Sequence, residues 1–251
     1  MKKVFHSKYK EFEEDIDVLI NDFDNGGDSI KDSRNKLKLF SLSNRTVINV
    51  KSFKVPNLIN KVVYNFFRKS KAQRSFEYAN KLLKLNIGTP TPIAYYQFSS
   101  LFTFKKSFYI SKQLDCDLTF RELTTDFDYP DYDVILRAFT RFTYNLHEKG
   151  ILFLDHSPGN TLIKKEGDDY NFYLVDLNRM KFESLDFEAR VKNFSRLTIH
   201  KSMIEVMSDE YSKCTGENYD KIFNLMWGKT EAFQEKFHRK KRLKKKLLFW
   251  K

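Results

Sequence analysis

Glycine, proline and cysteine are scarce in this chain, and each scarcity excludes a kind of protein. The 251 residues include eight glycines, five prolines and two cysteines. Cys116 and Cys214 lie nearly a hundred residues apart without a C-x-x-C pair, so neither a thiolate zinc site nor a disulfide framework is indicated, and a reducing cytoplasm fits. No glycine occurs between Gly27 and Gly88. A glycine-rich loop is therefore excluded from that span.

Long apolar runs are absent as well. The N-terminal stretch MKKVFHSKYKEFEED turns acidic before any seven-residue apolar segment appears, so no signal peptide is predicted. No uncharged run reaches the roughly 18 apolar residues that a membrane-spanning helix needs. Any contact with a membrane is therefore expected to be peripheral.

Positive charge is concentrated at the C-terminus. The chain carries 45 Lys and Arg against 33 Asp and Glu, and residues 239–251 hold eight basic residues and no acidic one. The apolar end of this tail, Leu247-Leu248-Phe249-Trp250, favours docking on an anionic membrane surface. The alternatives are that the basic end is only solvated or that it binds nucleic acid. Of these two, a nucleic-acid partner is not expected.

The first half of the chain shows strand and helix patterns. Apolar and polar residues alternate over 35–43 and 46–53, which predicts a β-hairpin. Ser70 and Gln73 have the spacing of a capping box, and a stripe of Ala72, Phe76, Ala79 and Leu83 predicts the helix that follows. Gly88 with two nearby prolines is expected to end it. Two further strand-like runs cover 93–98 and 102–114.

The second half alternates between helix and short strands. A helix is predicted from Asp133 to about Gly150, then a strand over 151–154, a Pro-Gly loop over 155–160, and strands over 161–164 and 171–175. Residues from about 186 onward are helical in pattern.

The order of polar residues around the Pro-Gly loop resembles the catalytic set of the protein-kinase-like phosphotransferases. Asp155-x4-Asn160 alone is uninformative, but it follows an apolar strand, and a hairpin then leads to Asp176. Upstream lie Lys51 at a strand end and Glu77 on a helix. This resemblance implies that Lys51 contacts the ATP phosphates, with Glu77 as its ion-pair partner. It also implies that Asn160 and Asp176 bind Mg²⁺ and that Asp155 accepts the proton of the attacking hydroxyl.

A closer resemblance is to the lipopolysaccharide core kinases, the Kdo/WaaP group. The passages FFRKSKAQRSFEYANKLLKLNIGTPTPIAYY, LDHSPGNTLI and YLVDLNR are similar to that family's helix, catalytic loop and metal strand. This implies an α+β, bilobal protein-kinase-like fold, with a small N-lobe of antiparallel sheet plus one helix and a mainly helical C-lobe. It further implies ATP and Mg²⁺ as cofactors and a lipid-linked sugar acceptor, a lipopolysaccharide precursor.

Several positions depart from the kinase pattern. Without a glycine-rich loop, the turn that contains Ser33 and Arg34 is the expected substitute for phosphate binding. Asp155 and Asp176 are retained although the residues around them differ from H-x-D and D-F-G. Ser157 stands where protein Ser/Thr kinases carry lysine, and no Ala-Pro-Glu follows. A small or glycolipid acceptor is therefore favoured over a peptide.

The predicted organisation is an N-lobe over 1–113, a C-lobe over 114–238 and a basic amphipathic tail over 239–251. The predicted function is ATP-dependent phosphorylation of a sugar hydroxyl, that of Kdo or heptose, in the lipopolysaccharide inner core. The enzyme would be cytoplasmic and peripheral on the inner face of the bacterial inner membrane. A soluble small-molecule kinase of the antibiotic or choline type, a non-catalytic pseudokinase scaffold and, ranked lower, a protein kinase are the alternatives.

Overall fold

The structure is a computed structural model that describes residues 1–32, 35–53, 69–99 and 104–248. The chain divides into two compact units. The first contains residues 1–115 together with residues 175–178, and the second contains residues 116–174 and 179–251.

The described part of the first unit is an antiparallel sheet with helices packed on it. The strand order is β1-β5-β6-β4-β3-β2. The elements are β1 (Lys2–Phe5), a 3₁₀ helix (Ser7–Phe12), α1 (Glu13–Asn21), β2 (Asp28–Asp32), β3 (Lys36–Ser41), β4 (Val47–Phe53), α2 (Lys71–Lys84), β5 (Pro92–Ser99) and β6 (Phe104–Lys112).

The predicted hairpin is confirmed as β3 and β4, whose register pairs Leu37 with Lys51. Strand β2 extends the sheet beyond β3 and was not predicted. All five of its residues are exposed, so its sequence has no apolar alternation that would reveal a strand.

The two faces of β4 pack against different helices. Ile48 and Val50 share a buried cluster with α1, whereas Phe53 shares one with α2. Because side chains two residues apart in a strand point to the same face, Lys51 lies on the same face as Phe53. Its ammonium lies 5.5 Å from the centre of the Phe53 ring.

Helix α2 begins as predicted. The Ser70 hydroxyl accepts a hydrogen bond from the Gln73 amide at 3.1 Å. The apolar stripe differs from the prediction at one position, since Leu82 is fully buried while Leu83 is 37% exposed. The other predicted members of the stripe are buried: Ala72, Phe76 and Ala79.

The predicted end of α2 at Gly88 is wrong by a few residues. The helix ends at Lys84. Asn86 then adopts the left-handed conformation, with φ 54°. Asparagine tolerates this conformation better than most residues, so it terminates the helix where glycine was expected to do so.

The second unit is mainly helical, and its predicted elements are present. Its short strands form one sheet in the order β10-β9-β7 and a separate β11-β8 pair. The elements are β7 (Leu118–Thr119), α3 (Phe120–Leu123), α4 (Tyr132–Glu148), β8 (Ile151–Phe153), β9 (Thr161–Glu166), β10 (Asp169–Leu174), β11 (Met180–Phe182), α5 (Phe187–Lys192), α6 (Lys201–Thr215) and α7 (Tyr219–Leu248).

The core of the second unit lies among α4, α6, α7 and the strands. Its helices supply large side chains that are fully buried, including Phe139 of α4 and Tyr211 of α6. Strand β8, from which the Pro-Gly loop leaves, contacts α4. Strand β11 pairs with β8 on the return of the chain.

Helix α7 runs for 30 residues and includes most of the basic tail. Ile222, Met226 and Thr230, spaced four residues apart, are buried, whereas all residues from 235 to 246 are exposed. Within the described ranges, no helix is both long enough and apolar enough to cross a membrane.

Candidate active site

Lys51 is held by an ion pair with Asp176. Its Nζ lies 2.8 Å from Asp176 Oδ1, and the lysine side chain is only 19% exposed. Residues 175–178 group with the first unit, so both partners belong to it. The sequence placed these two residues 125 positions apart, and the structure brings them together.

Asp176 has an unusual backbone conformation for a residue with a side chain. Its φ is 58°, in the left-handed region that costs most residues of order 1 kcal/mol or more. The same carboxylate oxygen that binds Lys51 also accepts a hydrogen bond from Asn178 Nδ2 at 2.6 Å. The second oxygen, Oδ2, has no hydrogen bond to any described residue and is available to a ligand.

The predicted ion pair between Lys51 and Glu77 is not formed. Glu77 Oε2 instead binds Lys69 Nζ at 2.8 Å, and Glu77 Oε1 accepts from Gln73 Nε2 at 2.9 Å. Gln73 lies one helical turn before Glu77, where side chains four residues apart meet. Both carboxylate oxygens are thus satisfied locally, while Lys51 is bonded to Asp176.

Asp155 follows β8, and its carboxylate forms ion pairs with two arginines. Its Oδ1 lies 2.9 Å from Arg196 Nη1 and 3.1 Å from Arg179 Nη1. The Arg196 guanidinium also donates to the Leu154 carbonyl at 2.8 Å. These contacts fix the carboxylate by one oxygen. The other oxygen, Oδ2, has no partner among the described residues.

Asn160 closes the loop that Asp155 begins. Its Nδ2 donates to the Asp155 carbonyl at 2.8 Å, and its backbone N–H donates to the Ser157 carbonyl at 2.9 Å. The loop is thereby folded back on itself. Because the amide nitrogen is occupied, the Asn160 oxygen is the atom left to bind a ligand.

The sequence did not indicate that Arg179 and Arg196 contact Asp155. Each lies far from Asp155 in sequence and reaches it only because β11 pairs with β8 and because the chain after α5 returns to the loop. A one-dimensional pattern carries no signal for such contacts.

A buried hydrogen-bond chain supports the loop from below. Asn193 Nδ2 donates to the Phe153 carbonyl at 2.8 Å, and the side-chain oxygen of Asn193 can therefore only accept a hydrogen bond. His147 Nε2 lies 3.2 Å from that oxygen, and His147 Nδ1 lies 2.9 Å from the Tyr211 hydroxyl. His147 therefore carries its proton on Nε2 and accepts from Tyr211 at Nδ1. This pattern requires the neutral ring.

Stability is expected to fall on acidification because buried histidines must become charged. Burial lowers the pKa of His147 from 6.5 to about 4, and burial lowers the pKa of His156 to about 3. The unfolded chain therefore binds more protons than the folded one below pH 6.5, so stability is full above that pH and is lost as pH falls toward 4. We expect His147 alone to remove about 2 kcal/mol of unfolding free energy by about pH 5.

Urea unfolding at about pH 7.5 and about pH 5 measures this loss. His147→Gln should remove about half of this pH dependence, because His156 keeps its own share, whereas His238→Gln, a change at an exposed site, should leave it as in the wild type. An equally steep pH dependence in His147→Gln would contradict the assignment.

The free oxygen of Asn160, in the second unit, and that of Asp176, in the first, are each of a type that binds hard cations. Carboxylate and amide oxygens are the ligands that Mg²⁺ prefers, and it commonly uses one or two of them together with substrate phosphates. Among the described residues, no group of three or more His, Cys, Asp or Glu side chains is arranged to hold a metal.

The remaining predicted site residues, Ser33 and Arg34, lie outside the described residues. The strands on either side of them, β2 and β3, pair with each other.

Comparison with known proteins identifies the family of this chain. The sequence profile of the lipopolysaccharide kinase (Kdo/WaaP) family matches residues 13–223. That span contains Lys51, Asp155, Asn160 and Asp176. The chain belongs to the lipopolysaccharide kinase (Kdo/WaaP) family.

Similarity to a solved structure shows the fold of this member of the lipopolysaccharide kinase family. A structure titled "WaaP in complex with acyl carrier protein" is 14% identical, covers 95% of this chain and 99% of its own, and superposes with a TM-score of 0.65. The Rio2 kinase from Chaetomium thermophilum, in a complex with ADP, Mg²⁺ and phosphoaspartate, is 13% identical, covers 88% of this chain and 75% of its own, and gives a TM-score of 0.48. No curated protein sequence gives a significant match.

The predicted family, the kinase-like fold and the enzyme class are thereby confirmed. The protein is a kinase, a transferase of lipopolysaccharide biosynthesis that uses ATP.

Proposed function

We propose that this kinase transfers the γ-phosphoryl group of ATP to a hydroxyl of an inner-core sugar, Kdo in the first place and heptose in the second. The observation that carries the proposal is the retained set of polar residues in a member of this family. Lys51 and Asp176 lie 2.8 Å apart, and Asp155 and Asn160 lie on one loop joined by a hydrogen bond.

Asp155 would act as the base of the reaction. Its Oδ1 is occupied by two guanidinium groups, so Oδ2 would accept the proton of the sugar hydroxyl. The hydroxyl oxygen then forms a bond to the γ-phosphorus while the bond from phosphorus to the bridging oxygen breaks, and ADP leaves with that oxygen. Lys51 would donate to the α- and β-phosphates and neutralise part of their charge.

Mg²⁺ would be held by the Asn160 oxygen and the free oxygen of Asp176. When bound, the ion neutralises negative charge on the phosphates. The lysine and the arginines named above do not depend on it for their contacts with Asp176 and Asp155.

The basic end of α7 would place the enzyme on the cytoplasmic face of the bacterial inner membrane, where a lipid-linked acceptor lies. Residues 235–246 are exposed, and each basic residue near an anionic lipid surface contributes about 1 kcal/mol. Eight such residues in 239–251 suffice for reversible docking.

Transfer of radiolabel from Mg-ATP to defined acceptors tests the proposal. The acceptors are Kdo-bearing lipid A, the same lipid extended by heptose, and soluble aminoglycoside and choline. We expect label on one of the two lipid acceptors and none on the soluble ones. Label on a soluble acceptor would establish the small-molecule kinase instead. Binding of ATP without transfer to any acceptor would favour the pseudokinase.

A tail variant in the same assay tests membrane docking. Replacing Lys240, Lys241, Lys244 and Lys245 with glutamine removes four exposed charges and preserves the length of α7. We expect binding to anionic vesicles to weaken by at least about a hundredfold. The transfer rate should fall with acceptor in those vesicles and stay unchanged in detergent micelles. Unchanged vesicle binding would make the tail a merely solvated end.

A further inference from the structure

Arg121 lies against the loop that carries Asp155 and Asn160. A Cβ atom added to Gly159 would meet Arg121 first, at 2.7 Å from Nη2 and 3.5 Å from Cζ and Nε. Gly159 is not among the residues with positive φ, so its backbone does not require glycine. The close approach of the Arg121 guanidinium is what a larger side chain would disturb.

The position of Arg121 is set by a short capped helix. The Thr119 hydroxyl accepts from the Arg121 amide at 3.2 Å, and the Glu122 carboxylate accepts from the Thr119 amide at 2.8 Å. This capping box fixes the first turn of α3. The backbone from which Arg121 projects is therefore well defined.

The Arg121 guanidinium is exposed, and it makes no hydrogen bond or ion pair with any residue that the structure describes. Arg179 and Arg196, by contrast, are both bonded to Asp155. Five N–H donors in a planar fork match a carboxylate or phosphate. Arg121 thus presents an unused anion-binding group beside the catalytic loop.

The loop that Arg121 approaches at Gly159 also carries Asp155. Asn160, the neighbour of Gly159, is hydrogen-bonded to the Asp155 carbonyl, so Gly159 is folded back toward Asp155. Residues 155–160 contain no Lys or Arg of their own. The three guanidinium groups of Arg121, Arg179 and Arg196 outnumber the carboxylates of Asp155 and of Glu122, which interacts electrostatically with Arg121. The local charge therefore favours an anionic acceptor.

We propose that Arg121 binds an anionic group of the acceptor, either the carboxylate of a sugar acid such as Kdo or a phosphate on a neighbouring sugar. This contact orients the acceptor so that its hydroxyl meets Asp155. The inference rests on the proposed function and adds the chemistry by which that site selects its substrate.

A matched pair of acceptors isolates the contact. Kdo methyl glycoside carries the carboxylate, its carboxyl-reduced analogue does not, and a heptose phosphate tests the other anion source. We expect Arg121→Gln to raise the KM for the anionic acceptor by about 10- to 100-fold. The KM for ATP and the reaction of the reduced analogue should be nearly unchanged. Arg121→Lys should recover part of the loss.

Two further variants distinguish loss of the Arg121 contact with the acceptor from a general loss of activity. Gly159→Ala should displace the guanidinium while Arg121 is retained, and so should raise the same KM. Lys213→Gln, which removes an exposed charge from α6 of the second unit, should change nothing. If Arg121→Gln lost as much activity on the reduced analogue as on the acid, the proposal would be overturned. If Arg121→Gln raised only the KM for ATP, the proposal would also be overturned, because Arg121 would then bind the nucleotide.

Equilibrium binding of the same two glycosides by calorimetry decides the inference without turnover. If the wild type phosphorylates none of the acceptors, the proposed function fails. Carboxylate-dependent binding that is lost in Arg121→Gln would still support the anion site. Equal binding of both glycosides together with heptose phosphate binding that Arg121→Gln leaves unchanged would refute it, and so would no binding of either anionic ligand.

Discussion

Replacement of Asp155 by asparagine is expected to lower kcat for phosphoryl transfer by about 10²- to 10⁴-fold, the usual worth of a positioned general base. Asparagine keeps an oxygen that can accept from Arg179 and Arg196, both of which bind Oδ1 of the native side chain. The loop should therefore keep its shape while it loses the atom that takes the proton. The loss should appear in kcat, with ATP binding preserved.

The matched control is Asp168→Asn, an exposed aspartate in the turn between β9 and β10. It removes the same charge from the same unit and should leave kcat within about twofold. Steady-state kinetics on the preferred lipid acceptor and urea midpoints for both variants give the comparison. An Asp155→Asn enzyme that retains more than a tenth of the wild-type kcat would show that another group acts as the base.

Replacement of Lys51 by methionine is expected to lower kcat/KM by about 10²- to 10³-fold, the typical cost of removing one preorganised charge from a phosphoryl-transfer site. The variant also leaves Asp176 without its cation, although the hydrogen bond from Asn178 remains. Because methionine keeps an apolar stem next to Phe53, packing on this face of the sheet is largely preserved.

Lys112→Met provides the control for Lys51, since Lys112 is an exposed lysine in β6 of the same sheet. Nucleotide binding followed by calorimetry should weaken in Lys51→Met and not in Lys112→Met. Glu77→Gln adds a second comparison. Because Glu77 is bonded to Lys69 and Gln73, its loss should cost much less activity than the loss of Lys51. Equal losses would restore Glu77 as the partner of Lys51.

Elements with strong local patterns were predictable from the sequence. The alternation in β3 and β4 and the apolar period in α4 identify these elements because burial on one face dictates the pattern. Strand β1 and helix α1 were missed, since their charged residues obscure a thin apolar face of which Ile16 and Ile20 are the buried members. Leu83 was preferred to Leu82 because the two lie three and four residues after Ala79, and both spacings continue an apolar helical stripe.

The candidate site was predictable in its residues but less so in its contacts. The spacing of Asp155 and Asn160 and the position of Asp176 after a hairpin are local features of the sequence. The partner of Lys51 and the two arginines on Asp155 depend on long-range pairing, which a single sequence does not encode visibly. Asp176 in a left-handed conformation illustrates the difference, because only the folded chain shows that the backbone turns there.

Helix α7 joins two parts of the proposed function. Phe233 packs under Arg196, whose guanidinium lies 5.5 Å from the ring centre and also binds Asp155. From Phe233 the same helix continues to Leu248, a distance of about 22 Å at 1.5 Å per residue. A continuous helix is stiff, so under the proposed function it would serve as a spacer between the catalytic loop and a lipid surface bound at its basic end. The length of α7 would then set how far from the bilayer a hydroxyl can be phosphorylated, and shortening or lengthening the helix by whole turns would shift that reach.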